Sequence, residues 1–130
     1  MALQITHNDH GAIKVLHLKG RLKLGEESVE FRNRIKKALS DAHWLEQEWG
    51  WKAQLLIDLG GVDYIDSAGL GALVAARASA LHQGAELKLA NLTRNIRDQL
   101  AITKLATVFE VFDSVDAALK SFPKAVTSGE

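Results

Sequence analysis

The order of apolar and polar positions predicts alternating strands and helices along this chain. Leu3 and Ile5 alternate with polar residues, the turn-forming residues 8–11 follow, and the apolar stretch Ile13–Leu18 predicts the second strand of a β-hairpin. Residues 26–39 then carry apolar side chains at helical spacing, with acidic residues early and basic residues late, as the helix dipole favours. The chain therefore begins with a hairpin and a helix.

The strongest strand signal lies at residues 54–59. Its apolar run is interrupted only by Asp58, which is typical of a strand buried on both faces. We expect Gly60 and Gly61 to stop this strand. We interpret Asp58, at the strand end, as a structural hydrogen-bond acceptor rather than a catalytic acid.

A long helix is predicted over residues 67–83. Asp66 and Ser67 both favour the N-cap position, the residues that follow are mostly strong helix formers, and Gly84 is well placed to end the helix. The helical period predicts an inward face made of Leu70, Leu73, Val74, Ala78 and Leu81.

Four further elements complete the pattern. Residues 85–90 alternate as in a strand near the sheet edge, Thr93 begins a short helix, and residues 108–112 form a last strand. Residues 113–114 cap a final helix that Pro123 ends. Strands that alternate with helices imply right-handed crossovers, so the prediction is an α/β fold with a mixed, mostly parallel sheet.

Residues 41–52 are the least predictable segment. They are interpreted as a continuation of the first helix with Gly50 as its C-cap and with the tryptophans covering the end of the core. The alternative is an exposed aromatic patch for a partner. The tryptophans concerned are Trp44, Trp49 and Trp51.

Ser67 is the candidate functional residue, because it follows a central strand at the edge where open α/β sheets usually build their sites. Gly69 and Gly71 each cost a helix about 1 kcal/mol relative to alanine, so local propensity does not explain them. They leave the surface beside the hydroxyl free for another backbone or an anion. The alternative is that Ser67 is a plain N-cap without chemistry.

Composition narrows the classes of function. The chain has 16 basic and 16 acidic residues and no cysteine, which gives no global attraction to nucleic acid or anionic membrane and excludes a thiolate nucleophile or a Cys-based zinc site. No signal-peptide pattern and no run near the roughly 20 apolar residues of a membrane span is present. We expect a cytoplasmic domain over residues 1–123, with a loose tail at residues 124–130.

A small serine hydrolase is a remote alternative for Ser67. The sequence D-S-A-G lacks the G-x-S-x-G elbow, and the histidines have neither triad nor metal-ligand spacing. Gly69-x-Gly71 is not followed by the third glycine of a dinucleotide site, and no P-loop occurs. The prediction is a protein that is not an enzyme and has no cofactor or metal.

The stretch L-I-D-L-G-G-V-D-Y-I-D-S-A-G-L-G-A-L closely resembles the signature of STAS domains, the family of bacterial anti-sigma factor antagonists. Residues 18–22 resemble the L-x-G-x-L of the family, and residues 111–119 resemble its closing strand and helix. The resemblance spans about residues 3–122. It implies the STAS fold, in which a mixed sheet with an N-terminal antiparallel hairpin is combined with four to five α-helices.

The resemblance also implies a function in transcription regulation. In the family, the serine after the motif aspartate is phosphorylated by a partner that is both anti-sigma factor and serine kinase, phosphorylation ends binding, and a serine phosphatase restores it. By position the acceptor is Ser67. No nucleic acid and no membrane insertion is implied, and the sequence indicates no oligomeric state. The implied partner-binding residues are Asp66, Ser67, Ala68, Gly69, Leu70, Gly71 and Lys23.

Two features depart from the family pattern. Lys23 stands where family members often carry an acidic residue, so it either pairs with a phosphate on Ser67 or marks a phosphorylation-independent scaffold in a signalling or lipid-transport complex. The tryptophan-bearing segment at residues 41–52 is longer than the family norm and is expected to affect the choice of partner.

Overall fold

The computed structural model describes residues 3–11, 13–49 and 54–122, and within residues 42–49 it describes the backbone alone. Strands and helices alternate after an initial hairpin, as the sequence predicts. The elements are β1 (Leu3–His10), β2 (Ile13–Leu22), α1 (Glu26–Trp49), β3 (Gln54–Ile65), α2 (Ser67–His82), β4 (Leu87–Ala90), α3 (Arg94–Ile102), β5 (Val111–Phe112) and α4 (Val115–Ser121).

The five strands form one mixed sheet in the order β1-β2-β3-β4-β5. β1 pairs with β2 in antiparallel fashion, and the other neighbours are parallel. The predicted fold class is therefore confirmed. The parallel strands end at a common edge of the sheet, and β3 leads there directly into α2.

The central strand β3 is buried on both faces. Leu55 and Ile57 belong to the larger core, to which α1, α2 and α3 contribute, whereas Leu56 belongs to a smaller core with residues of α4. This arrangement confirms the interpretation of the apolar run, because alternate side chains of a strand point to opposite faces.

The prediction that Gly60 and Gly61 stop the central strand is wrong, since β3 continues to Ile65. The register between β2 and β3 shifts in this region. A Cβ atom on Gly61 would lie 2.8 Å from the carbonyl oxygen of Leu18. The glycines therefore let two strands approach closely through an irregular register, and the strand continues instead of ending.

The predicted inward face of α2 is partly wrong. Ala78 is exposed, and Leu81 is 47% exposed. The buried face is made instead of small residues and two leucines, because small side chains let α2 pack closely against its neighbours. Its residues are Gly69, Leu70, Ala72, Leu73, Ala76 and Ala80.

Lys88 is buried, although the alternation predicted for residues 85–90 would leave its charged side chain exposed. β4 lies between β3 and β5, its four residues are buried, and Lys88 is 4% exposed. Its Nζ atom donates a hydrogen bond to Ser121 Oγ at 2.9 Å, and it lies 4.3 Å from the ring centroid of Phe122 and 3.5 Å from Glu110 Oε2. These contacts offset the cost of burying the ammonium group and attach α4 to the sheet.

Two boundaries differ from the predicted ones. The turn predicted at residues 8–11 is shorter, because β1 continues to His10 and the chain reverses after it, with Gly11 at a φ of 63°. The last strand, predicted over residues 108–112, contains only Val111 and Phe112. The predicted end of α2 is confirmed, since Gly84 has a φ of 78°.

The backbone of α1 continues to Trp49, which confirms that the segment after residue 40 prolongs the first helix. Several predictions fall outside the described residues. They concern Gly50, Trp51, Pro123, the tail at residues 124–130 and the side chains of Trp44 and Trp49.

We expect Leu73→Ala to lower the free energy of unfolding by about 2–5 kcal/mol, because Leu73 is fully buried and its truncation leaves a cavity. Leu81→Ala is the matched control on the same helix. It should cost about 1 kcal/mol or less, since much of the side chain is already in water. Urea unfolding monitored by circular dichroism measures both values, and equal losses would contradict the burial of this helix face.

Candidate functional site

Ser67 is the first residue of α2 and is exposed. The N-cap is Asp66, whose extended backbone places Oδ1 2.8 Å from the N–H of Gly69, which donates to it. The alternative in which Ser67 is itself the N-cap is therefore wrong. Because Asp66 supplies the cap, the hydroxyl of Ser67 is free of that structural task.

The second carboxylate oxygen of Asp66 binds a different element. Oδ2 accepts a hydrogen bond from the N–H of Leu24 at 3.0 Å, and the N–H of Asp66 donates to the carbonyl oxygen of Leu22 at 3.4 Å. The hydrogen bonds from Leu24 and Gly69 hold the pKa of Asp66 below its ordinary value, against a weaker effect of burial. One ionised carboxylate thus joins the β2–α1 turn to the first turn of α2.

The two glycines of this helix differ in how closely other atoms approach them. A Cβ atom on Gly69 would lie 2.2 Å from the carbonyl oxygen of Leu22 and 2.7 Å from Ile65 Cγ1, so Gly69 is required by close packing. A Cβ atom on Gly71 would meet no atom within 4 Å. The fold therefore explains Gly69 and leaves Gly71 unexplained.

The seven residues predicted to bind a partner lie together but differ in exposure. Ser67 and Gly71 are exposed, whereas Lys23, Asp66 and Ala68 are half-buried. Gly69 and Leu70 are buried. The last two therefore shape the first turn of α2 from beneath and offer no side-chain surface.

Leu24 is an exposed apolar residue that the sequence reasoning missed. Its side chain is 74% exposed, and its N–H is the donor held by Asp66. In the sequence, the only signal is that an apolar residue directly precedes a glycine, which is typical of a turn. In the structure, Gly25 lies in the turn before α1 and has a φ of 113°. Leu24 therefore presents an exposed apolar side chain in the turn that Asp66 joins to the first turn of α2.

A second polar cluster surrounds Asp58, within β3. His17 Nδ1 lies 2.7 Å from Asp58 Oδ2, and Oδ1 accepts hydrogen bonds from the N–H of Gly60 at 3.0 Å and from Asn91 Nδ2 at 3.1 Å. Burial raises the pKa of Asp58, but these hydrogen bonds together outweigh it and hold the pKa below its ordinary value. The interpretation of Asp58 as a structural acceptor is confirmed, although it lies inside the strand and not at its end.

A STAS domain model matches residues 4–118 of the chain. This chain belongs to the STAS domain family. The match includes the central strand, the first turn of α2 and Ser67, so the surface described above is part of a STAS domain.

Solved structures agree with this assignment. An anti-sigma factor antagonist from Mycobacterium paratuberculosis is 20% identical, with a TM-score of 0.73 and coverage of 92% of both chains. The Bacillus cell fate determinant SpoIIAA in its phosphorylated form is 16% identical, with a TM-score of 0.64 and coverage of 92% of this chain and 97% of the other. The murine anion transporter Slc26a9 is 17% identical, with a TM-score of 0.67, and the match covers 87% of this chain and 18% of the transporter.

The TM-scores show that this chain shares its fold with proteins of different kinds, which include antagonists and a transporter. Within the described part of the chain, none of the helices has both the length and the apolar character needed to cross a bilayer.

We expect Gly69→Ala to lower the free energy of unfolding by about 1–3 kcal/mol, because the added methyl group meets the backbone of Leu22. Gly71→Ala is the control in the same turn of the helix, and it should raise stability by up to about 1 kcal/mol through helix propensity. Thermal or urea unfolding distinguishes the two. A destabilised Gly71→Ala would contradict the open space at that position.

Asp58 predicts a pH dependence of stability. Because its folded pKa lies below the ordinary value of 3.8, its contribution is present above that value and is lost as pH falls through the folded pKa. The difference in unfolding free energy between the wild type and Asp58→Asn should therefore shrink as pH is lowered from about 5 toward 3. Urea unfolding at several pH values measures it, and a constant difference would count against the proposed role of the charge.

Proposed function

We propose that this STAS domain is an anti-sigma factor antagonist that binds an anti-sigma factor with serine kinase activity, and that phosphorylation of Ser67 ends the binding. The observation that carries the proposal is the exposed hydroxyl at the first position of α2, where Asp66 already supplies the cap. Further support comes from the relatives, since the structural neighbours include an anti-sigma factor antagonist and a phosphorylated SpoIIAA.

The position of Ser67 accounts for a switch that leaves the fold intact. A phosphate adds about −1.5 to −2 charges, and the free N–H groups and dipole at a helix N-terminus tolerate that charge. The same surface already carries the carboxylate of Asp66. A phosphate therefore makes the exposed surface strongly negative, which opposes a partner that docks through acidic or apolar groups.

Lys23 is compatible with this proposal. It directly precedes Leu24, whose N–H is held by Asp66, so it lies in the turn that is joined to the first turn of α2. A lysine in that turn is available to balance part of a phosphate charge on Ser67. In the proposed cycle a serine phosphatase restores the unphosphorylated form, and the chain acts in the cytoplasm as a binding protein without catalytic activity of its own.

A second candidate function is a phosphorylation-independent scaffold in a signalling or transport assembly. Lys23, in place of the acidic residue common in the family, favours it, and so does the likeness to the STAS portion of an anion transporter. In this case Ser67 would contribute surface but no switch.

The test begins with the serine kinase encoded nearest to the gene of this chain. Incubation of both purified proteins with ATP should place one phosphate on Ser67, as mapped by mass spectrometry. Ser67→Asp should weaken binding by at least about tenfold, whereas Ser67→Ala should bind like the wild type, because only the aspartate introduces charge. Thr107→Asp, at an exposed position in the segment between α3 and β5, is the matched charge control and should also bind like the wild type.

Phosphate on another residue, or equal affinities for Ser67→Asp and Ser67→Ala, would contradict the switch. Binding that is unaffected by either variant would favour the scaffold. Labelling of Ser67 by a serine-reactive phosphonate would instead point to a hydrolase.

A further inference from the structure

A groove runs between α1 and α2. One wall is formed by Val29, Arg32 and Lys36 of α1, and the other includes Ala75 and Ser79 of α2. Because the α2 side chains here are small, the groove is open to an element wider than a single side chain. Val29 is 55% exposed, so an apolar contact is available inside it.

The described lining of the groove contains basic side chains. Arg32 and Lys36 are exposed, and neither forms an ion pair with a residue in the described part of the chain. No Asp or Glu occurs among the described residues that line the groove, and the sequence of α2 contains none. The acidic residues of the first turns of α1 line a neighbouring depression beside β1, with which the groove shares Val29, and they are Glu26, Glu27 and Glu30.

Ser67 begins the ridge of α2 that leads into this groove. Ser67, Gly71, Ala75 and Ser79 follow one another at four-residue spacing, which places them along one side of the helix. Ser67, Gly71 and Ser79 are exposed and Ala75 is half-buried. The phosphorylation site proposed above and the basic groove therefore form one continuous surface.

Gly71 gives this surface a feature that the fold does not need. Alanine would fit there without contact and would favour the helix by about 1 kcal/mol. A glycine that is costly within the chain and open toward the outside fits the close approach of another backbone.

We propose that the α1–α2 groove receives an amphipathic helix of the anti-sigma factor, with its apolar stripe over Val29 and Ala75 and with carboxylates along the flank that faces Arg32 and Lys36. This inference rests on the proposed function and names the chemistry of its partner. A helix in a groove is a common mode of recognition, and the two cations, which have no ion-pair partner among the described residues, select an acidic one. A phosphate on Ser67 lies at the end of the same ridge and repels that acidic flank, which is how the switch acts.

The experiment measures the affinity of the purified serine kinase used above for the wild type and three variants by isothermal titration calorimetry. Arg32→Glu/Lys36→Glu should raise Kd by at least about tenfold, because the variant opposes acid with acid. Arg94→Glu/Lys120→Glu makes the same change in net charge at exposed positions of α3 and α4, and it should bind within about twofold of the wild type. Gly71→Ala should bind several-fold more weakly, although its thermal unfolding shows no loss of stability.

The dependence of the affinity on salt concentration is an independent test of the same contact. Wild-type affinity should fall as NaCl rises from about 50 to 500 mM, and Arg32→Ala/Lys36→Ala should show a smaller dependence, since fewer charge pairs are screened.

The outcomes separate this inference from the proposed function. If the wild type binds, Ser67→Asp does not, and both groove variants bind like the wild type, the groove inference is overturned and the switch stands. If the wild type neither binds the kinase nor is phosphorylated by it, both are overturned. If sedimentation velocity shows a wild-type dimer that the groove variants dissociate, the occupant is a second copy of the chain and the proposal is wrong.

Discussion

The close contact between the end of β2 and the first turn of α2 is the constraint on which the candidate site depends. The carbonyl oxygen of Leu22 occupies the space that a side chain on residue 69 would need. The same oxygen accepts a hydrogen bond from the N–H of Asp66. Asp66 then reaches back to Leu24. These contacts join segments that are more than 40 residues apart in the sequence, so that Ser67 lies near the turn that contains Leu24 and Lys23.

Two aspartates play parallel roles in this domain. Asp58 and Asp66 each accept a backbone N–H from a residue close in sequence and a second hydrogen bond from a distant element. Both have a pKa below the ordinary value, because hydrogen bonds stabilise the ionised form. Asp58 joins strands within the sheet, whereas the carboxylate of Asp66 joins the β2–α1 turn to the helix that carries the candidate site. Hydrogen bonds to an ionised carboxylate therefore join elements both inside the sheet and at the candidate site.

Local patterns predicted the elements well, because they depend on neighbours in the sequence. The apolar run at residues 55–59 identified a strand with two buried faces, and the motif around Ser67 identified the family. The errors arose where a distant partner decides the outcome. Whether β3 continues past Gly61 depends on its register with β2. The exposure of Leu81 depends on how closely α2 packs against its neighbours. The polar contacts of Asp58 link residues that only the folded sheet brings together.

The attachment of α4 through Lys88 has a consequence for the extent of the domain. The STAS match ends at residue 118, yet the hydroxyl and the aromatic ring that surround this buried ammonium group belong to Ser121 and Phe122. A fragment that ended with the family match would retain the cation in the sheet and lose much of what compensates its burial. The folded unit therefore extends at least to Phe122, four residues beyond the end of the family match.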